Sequence, residues 1–164
     1  MNQQLIQEQL LAWMKEFVEQ PNPVLGNWAP CPYARQARIN NQIKVEFIEA
    51  LGLCKETYDN LHWLDSFDVL ILCFDHKKID PVLTQAYVKI LNSSLMKENI
   101  VILEDHPAAK EYVNGVKMNF GKCGLLVIQN LDKLNTASEQ LKSKGYYDHW
   151  SQAELDEVVS WRVE

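Results

Sequence analysis

Two places in this 164-residue chain hold side chains of types that do chemistry. The first is Cys31, within Trp28-Ala29-Pro30-Cys31-Pro32-Tyr33-Ala34-Arg35. If Pro32 opens a short helix reaching Arg38, Cys31 is its N-cap. Free backbone N–H groups and the helix dipole then favour a thiolate, and Arg35 one turn on adds positive charge. The competing reading makes Cys31 a buried structural cap packed beneath Trp28. The second place is the pair of dipeptides Asp75-His76 and Asp105-His106, each following an apolar run. If those runs are parallel strands joined by a helical crossover, their C-terminal ends share one edge of a sheet. Imidazoles and carboxylates meeting there suit a divalent metal, or a histidine held by a carboxylate for acid–base work. Against this, Asp105 can simply cap a turn opened by Pro107, and His76 can be solvated. A joint version uses Cys31 as nucleophile with His106 or His76 as its base. Walker, GxGxxG, HExxH, GxSxG and zinc-finger patterns are all absent, so no cofactor is evident beyond that candidate divalent metal.

The elements that must position these residues follow from periodicity and punctuation. Ile6, Leu10, Trp13, Met14 and Phe17 form one apolar stripe and predict a helix over 3–19. Four prolines and a glycine make 20–32 an irregular loop. Alternation at Ile43, Val45 and Phe47 predicts a half-buried strand, and 54–65 reads as a helix with Tyr58, Leu61 and Leu64 on one side. Val69–Phe74 is a strand covered on both faces. Asp80-Pro81 starts a helix to about Lys97 that is expected to bury Val82, Leu83, Ala86, Ile90 and Leu91. Ile100–Leu103 and Leu125–Ile128 are further central strands, with a hairpin or loop signalled by Asn114-Gly115 and Gly121. Asn130 caps a helix that Gly145 ends. Tyr146–Trp150 reads as a short edge strand, and Ser151 with Glu154 has capping-box spacing.

From residue 68 the order is strand, helix, strand, strand, helix, strand. That is the split βαβ plan of a ferredoxin-like α+β sandwich, with the N-terminal helix and the strand at 43–48 as additions. A flavodoxin-like parallel sheet is the alternative, and it requires a helix between residues 104 and 124. The organisation expected is a single domain over 1–164: an N-terminal helix (1–20), a Pro-rich loop with a short helix (21–40), and an α+β core (41–164).

Cys31-Pro32-Tyr33-Ala34 resembles the glutaredoxin active site with its second cysteine replaced by Ala34. The likeness covers four residues, and here a helix and a Pro-rich loop precede the motif where glutaredoxins place a strand. The chain is also similar to small uncharacterised proteins with a Cys-Pro-Phe/Tyr-Ala motif near the N-terminus, on Pro30–Ala34 and more loosely on Asp105-His106-Pro107. Neither resemblance implies a mechanism.

Composition narrows the classes. A formal charge of −6 with 16 scattered basic residues argues against nucleic acid and anionic membrane as partners. No run approaches the roughly 18 apolar residues of a membrane span, and the N-terminus lacks a signal-peptide pattern. Four cysteines without paired spacing suit a reducing, cytoplasmic setting. The five tryptophans read as core and loop anchors or as a ligand platform. Tyr146, Tyr147, His149 and Trp150, with an edge strand, offer a homodimer contact. With no complete catalytic motif, a non-catalytic binding or assembly module leads, ahead of a thiol-dependent enzyme or redox protein and a metal or acid–base site. The identity of any small-molecule ligand is not legible here.

Overall fold

The computed structural model describes residues 1–163 of the chain. Its centre is a four-stranded mixed sheet of β1 (Ile43–Phe47), β2 (Val69–Phe74), β3 (Ile100–Asp105) and β6 (Gly124–Asn130), in the order β1-β2-β6-β3. β1 runs parallel to β2, and β6 is antiparallel to both β2 and β3. The apolar runs are thus parallel strands with β6 inserted between them, which is the split arrangement. A small hairpin, β4 (Tyr112–Val113) and β5 (Val116–Lys117), fills part of the connection from β3 to β6.

One face of the sheet, carrying Leu70, Leu72, Phe74, Ile102, Leu126 and Ile128, is covered by α3 (Leu53–Asn60) and α4 (Pro81–Leu95). The other face, with Ile71, Cys73 and Leu125, is covered by α1 (Gln3–Trp13) through Ile6 and Leu10. The helix widens to π form over Met14–Val18, where the Glu19 N–H reaches back to the Met14 carbonyl. The remaining helices are α2 (Ala34–Ile39), α5 (Leu131–Ser143) and α6 (Gln152–Val158). Among the described residues, no helix is long and apolar enough to cross a membrane.

The local signals act where they were read. Asp80 accepts from the Leu83 N–H with Pro81 behind it, and Asn130 accepts from the Lys133 N–H. Ser151 and Glu154 close a capping box, and Gly145 takes a left-handed φ of 86° after α5. Four expectations need correction. Tyr146–His149 is a 3-10 turn, not an edge strand: local bonds from the Asp148 and Trp150 N–H groups hold it, and β1 already fills the place beside β2. The closing strand of a ferredoxin-like sandwich is therefore missing among the described residues. The flavodoxin alternative fails as well, because 104–124 holds the hairpin and β6 is antiparallel to its neighbours.

The third correction concerns α4. It buries Thr84, Val88, Leu91 and Leu95, leaving Val82 and Ile90 at 75% and 62% exposure and Leu83 and Ala86 exposed too. The polar Thr84 can face the sheet because its hydroxyl donates to the Asp80 carbonyl, and of the five residues expected inside only Leu91 is buried. The fourth is Cys31. Pro32 and Tyr33 form a turn, α2 begins at Ala34 with Tyr33 as its cap, and Cys31 lies one turn earlier at an exposed position.

Candidate functional site

The two Asp-His dipeptides do converge. His76 follows β2 and His106 follows β3, and their rings meet edge to face with centroids 5.8 Å apart. The chemistry expected of them does not assemble. His106 is only 2% exposed, and both its ring nitrogens are engaged. Nε2 lies 2.8 Å from the Ile79 carbonyl, which can only accept; Nδ1 takes a hydrogen bond from the Ala108 N–H at 3.1 Å. These partners fix the neutral Nε2–H tautomer and leave no lone pair for a metal or a substrate proton. Burial lowers the His76 pKa. Its half-buried ring keeps Nδ1 without a partner.

The carboxylates turn away from the imidazoles. Asp105 accepts from Asn119 Nδ2 at 3.0 Å and from the Phe120 N–H at 2.9 Å, tying the end of β3 to the start of the β6 approach. Burial raises its pKa despite those two donors. Asp75 accepts from the Lys77 N–H as an ordinary turn cap. Among the described residues, no group of three or more His, Cys, Asp and Glu side chains is placed to hold a metal ion. Through these bonds the cluster ties the ends of β2 and β3 to the segments that follow them.

Cys31 lies elsewhere, with no hydrogen bond to either histidine. Its N–H donates to the Val18 carbonyl, and the loop around it is held by the Tyr146 hydroxyl donating to the Pro30 carbonyl. Trp28 packs edge-on against Tyr146 at 5.7 Å. Although Cys31 is open to solvent, the protein packed around its sulfur raises the thiol pKa, and Glu19 adds to this; the Tyr33 and Ala34 N–H groups oppose it. The charge that acts on Cys31 is thus that of Glu19. Glu19 is itself clamped by Arg38, through Nε at 2.7 Å and Nη2 at 2.8 Å. That pair was not recognised in the sequence, being 19 residues apart with no periodic signal.

The feature that the sequence did not reveal is a groove of about 660 Å³ beyond the free edge of β3. Its first wall is α4, which contributes Val88, Lys89 and Asn92, continued by Met96 in the turn that follows it. Asn92 also closes the sheet edge: Nδ2 donates to the Ile102 carbonyl at 3.0 Å and Oδ1 accepts the Ile102 N–H at 2.9 Å. Leu103 and Glu104 form the floor, and the β4–β5 hairpin adds Glu111, Tyr112, Val113 and Met118. The last wall is α6 and its flanks, with Trp150, Glu157, Val158 and Trp161.

Specific contacts hold that last wall in place. Glu154 accepts the Asn114 N–H at 3.1 Å, joining α6 to the hairpin turn, and Asn114 Nδ2 donates to the Val24 carbonyl. Arg162, only 4% exposed, bonds through Nε to the Val158 carbonyl and through Nη2 to Ser138 of α5. Trp161 is steadied by its indole N–H, which donates to the Glu157 carbonyl at 2.8 Å.

The groove is an apolar cleft with carboxylates set into it. Glu104 and Glu111 are partly buried, and among the described residues no ion pair includes either of them, Glu154 or Glu157. Burial raises the Glu104 pKa. Glu111 is pushed up to about 8, first by burial and then by the negative charges of Asp105, Glu104 and Glu157. A cavity this size, mostly apolar with a few converging polar groups, has the form of a small-molecule site. No family model, curated protein or solved structure matches this chain.

Proposed function

We propose that this protein is a non-catalytic binding module whose groove between α4, the β4–β5 hairpin and α6 holds a small, largely apolar molecule. The observation that carries this reading is the groove itself. Four elements distant in sequence, and two indole side chains, enclose about 660 Å³ beside a sheet edge that Asn92 has already satisfied. Volumes of roughly 300–1,000 Å³ are typical of sites for such ligands. A second strand cannot add at Ile102 without displacing Asn92, which favours a ligand over sheet pairing at that edge.

The catalytic alternatives lack assembled parts. His106 has both nitrogens committed to backbone, and Cys31 carries a raised thiol pKa and bonds to neither His76 nor His106. The test is to fill the groove. Val158→Trp places a third indole in the cleft on a half-buried helix position that makes no side-chain hydrogen bond. Binding of 1-octanol, followed by isothermal titration calorimetry, is expected in the unmodified protein and lost in the variant, with the circular dichroism spectrum unchanged. Equal binding by both proteins would remove the groove as the site.

A further inference from the structure

The charge lining the groove specifies what kind of molecule it takes. Four carboxylates, Glu104, Glu111, Glu154 and Glu157, face it against one cation, Lys89. Glu154 is committed to the Ser151 and Asn114 N–H groups. Among the described residues, Glu111 and Glu157 have no hydrogen-bond or ion-pair partner through their side chains, and Glu104 has only its own backbone N–H. Glu111 lies within electrostatic reach of both Glu104 and Glu157, so the three form one field. Asp105 adds to that field from behind β3. A carboxylate against an apolar wall is costly until a positive charge reaches it, and aromatic faces beside it attract the same charge.

We infer that the groove binds an amphipathic cation: an ammonium group facing Glu104, Glu111 and Glu157, on an apolar body lying against Met96, Met118 and the indoles of Trp150 and Trp161. This rests on the groove being a ligand site and adds the ligand's chemical class. An anion would meet the same carboxylates unfavourably, and a neutral apolar molecule would leave them unpaired. Cation binding is also coupled to a proton. Glu111, protonated below about 8 in the empty groove, gives up its proton as the ammonium arrives. Affinity for a cation then rises with pH by up to about tenfold per unit until Glu111 is ionised without help, and flattens above that.

Three probes with one apolar body separate the possibilities: octylamine, 1-octanol and octanoate. Octylamine stays protonated from pH 6 to pH 8.5, so any pH dependence belongs to the protein. Isothermal titration calorimetry in two buffers of different ionisation enthalpy counts the protons released. The expected result is octylamine bound at least about tenfold more tightly than 1-octanol at pH 8.5, with octanoate weakest. Close to one proton should be released at pH 7, and in Glu111→Gln both the preference and the proton release should fall. Glu157→Gln should reduce the preference while keeping the proton release. Equal binding of all three probes would overturn the cation inference and leave the groove reading standing. An amine preference unchanged in Glu111→Gln would overturn it as well. If none of the three binds at any pH, the groove reading fails and the inference fails with it.

Discussion

Glu111 makes the sharpest prediction, because one carboxylate in one place should set a measurable part of the pH dependence of stability. Its ordinary value is 4.5, and the folded protein pushes it up to about 8. Between those values the native state holds a proton that the unfolded chain releases. A group raised on folding contributes its stability in full below the unfolded pKa and loses it as pH rises through the folded pKa. The gap corresponds to about 5 kcal/mol at ~1.4 kcal/mol per pH unit. Water at the mouth of the groove screens part of this, and the share expected between pH 5 and pH 8.5 is about 2 kcal/mol.

Glu104 and Asp105 are raised too and drift in the same direction, so the raw pH profile of the protein is not diagnostic. The difference between Glu111→Gln and the unmodified protein is. Glutamine keeps the shape and cannot ionise, so the variant should gain stability relative to the parent as pH rises, by about 2 kcal/mol across that range. Urea denaturation monitored by circular dichroism, at half-unit pH steps, measures this. A difference that stays constant with pH would mean that Glu111 ionises as a free glutamate does. The electrostatic account of the groove would then be refuted.

Three further predictions concern the frame. Gly124 lies opposite the buried Phe74 ring, which occupies the space a Cβ would need; Gly124→Ala should cost about 3 kcal/mol in urea denaturation, while Gly115→Ala, in open space, should cost only the smaller strain of its left-handed φ of 81°. Asn92→Ala strips both hydrogen bonds from Ile102 at the sheet edge and should cost about 2 kcal/mol, with faster amide exchange at Ile102 as the local readout. Cys31, with its raised thiol pKa, should alkylate slowly at neutral pH despite its exposure, with an apparent pKa above the usual ~8.5. Mass spectrometry with Cys31→Ser as control would check this, and fast alkylation at pH 7 would revive the thiol reading.

What was legible in the sequence was mainly local. Caps at Asp80, Asn130 and Ser151 are side chains acting within three residues, and each acts as read. The apolar runs at 69–74 and 100–103 are strands, and their parallel course brings His76 and His106 together as the crossover argument required. Side-chain direction was not legible. Which way Asp105 turns depends on Asn119 and Phe120, and nothing in the residues 105–107 announces those partners. α4 shows the same limit: Val82, Leu83, Ala86 and Ile90 face outward while Thr84, with a backbone acceptor for its hydroxyl, joins Leu91 inside, a choice made by packing. The groove is the extreme case. Its walls come from α4, β3, the hairpin and α6, and only tertiary contacts such as Arg162 on Ser138 bring them together. Trp150 and Trp161 were visible as aromatics without a surface to share.

The four methionines give the most direct test of the central claim. Met96 and Met118 line the groove, whereas Met1 and Met14 do not. In protein labelled with carbon-13 at the methionine methyls, titration with octylamine should shift the Met96 and Met118 signals together along one binding curve and leave Met14 in place. Shifts confined to Met1 and Met14, or none at concentrations where binding is seen by calorimetry, would contradict the account.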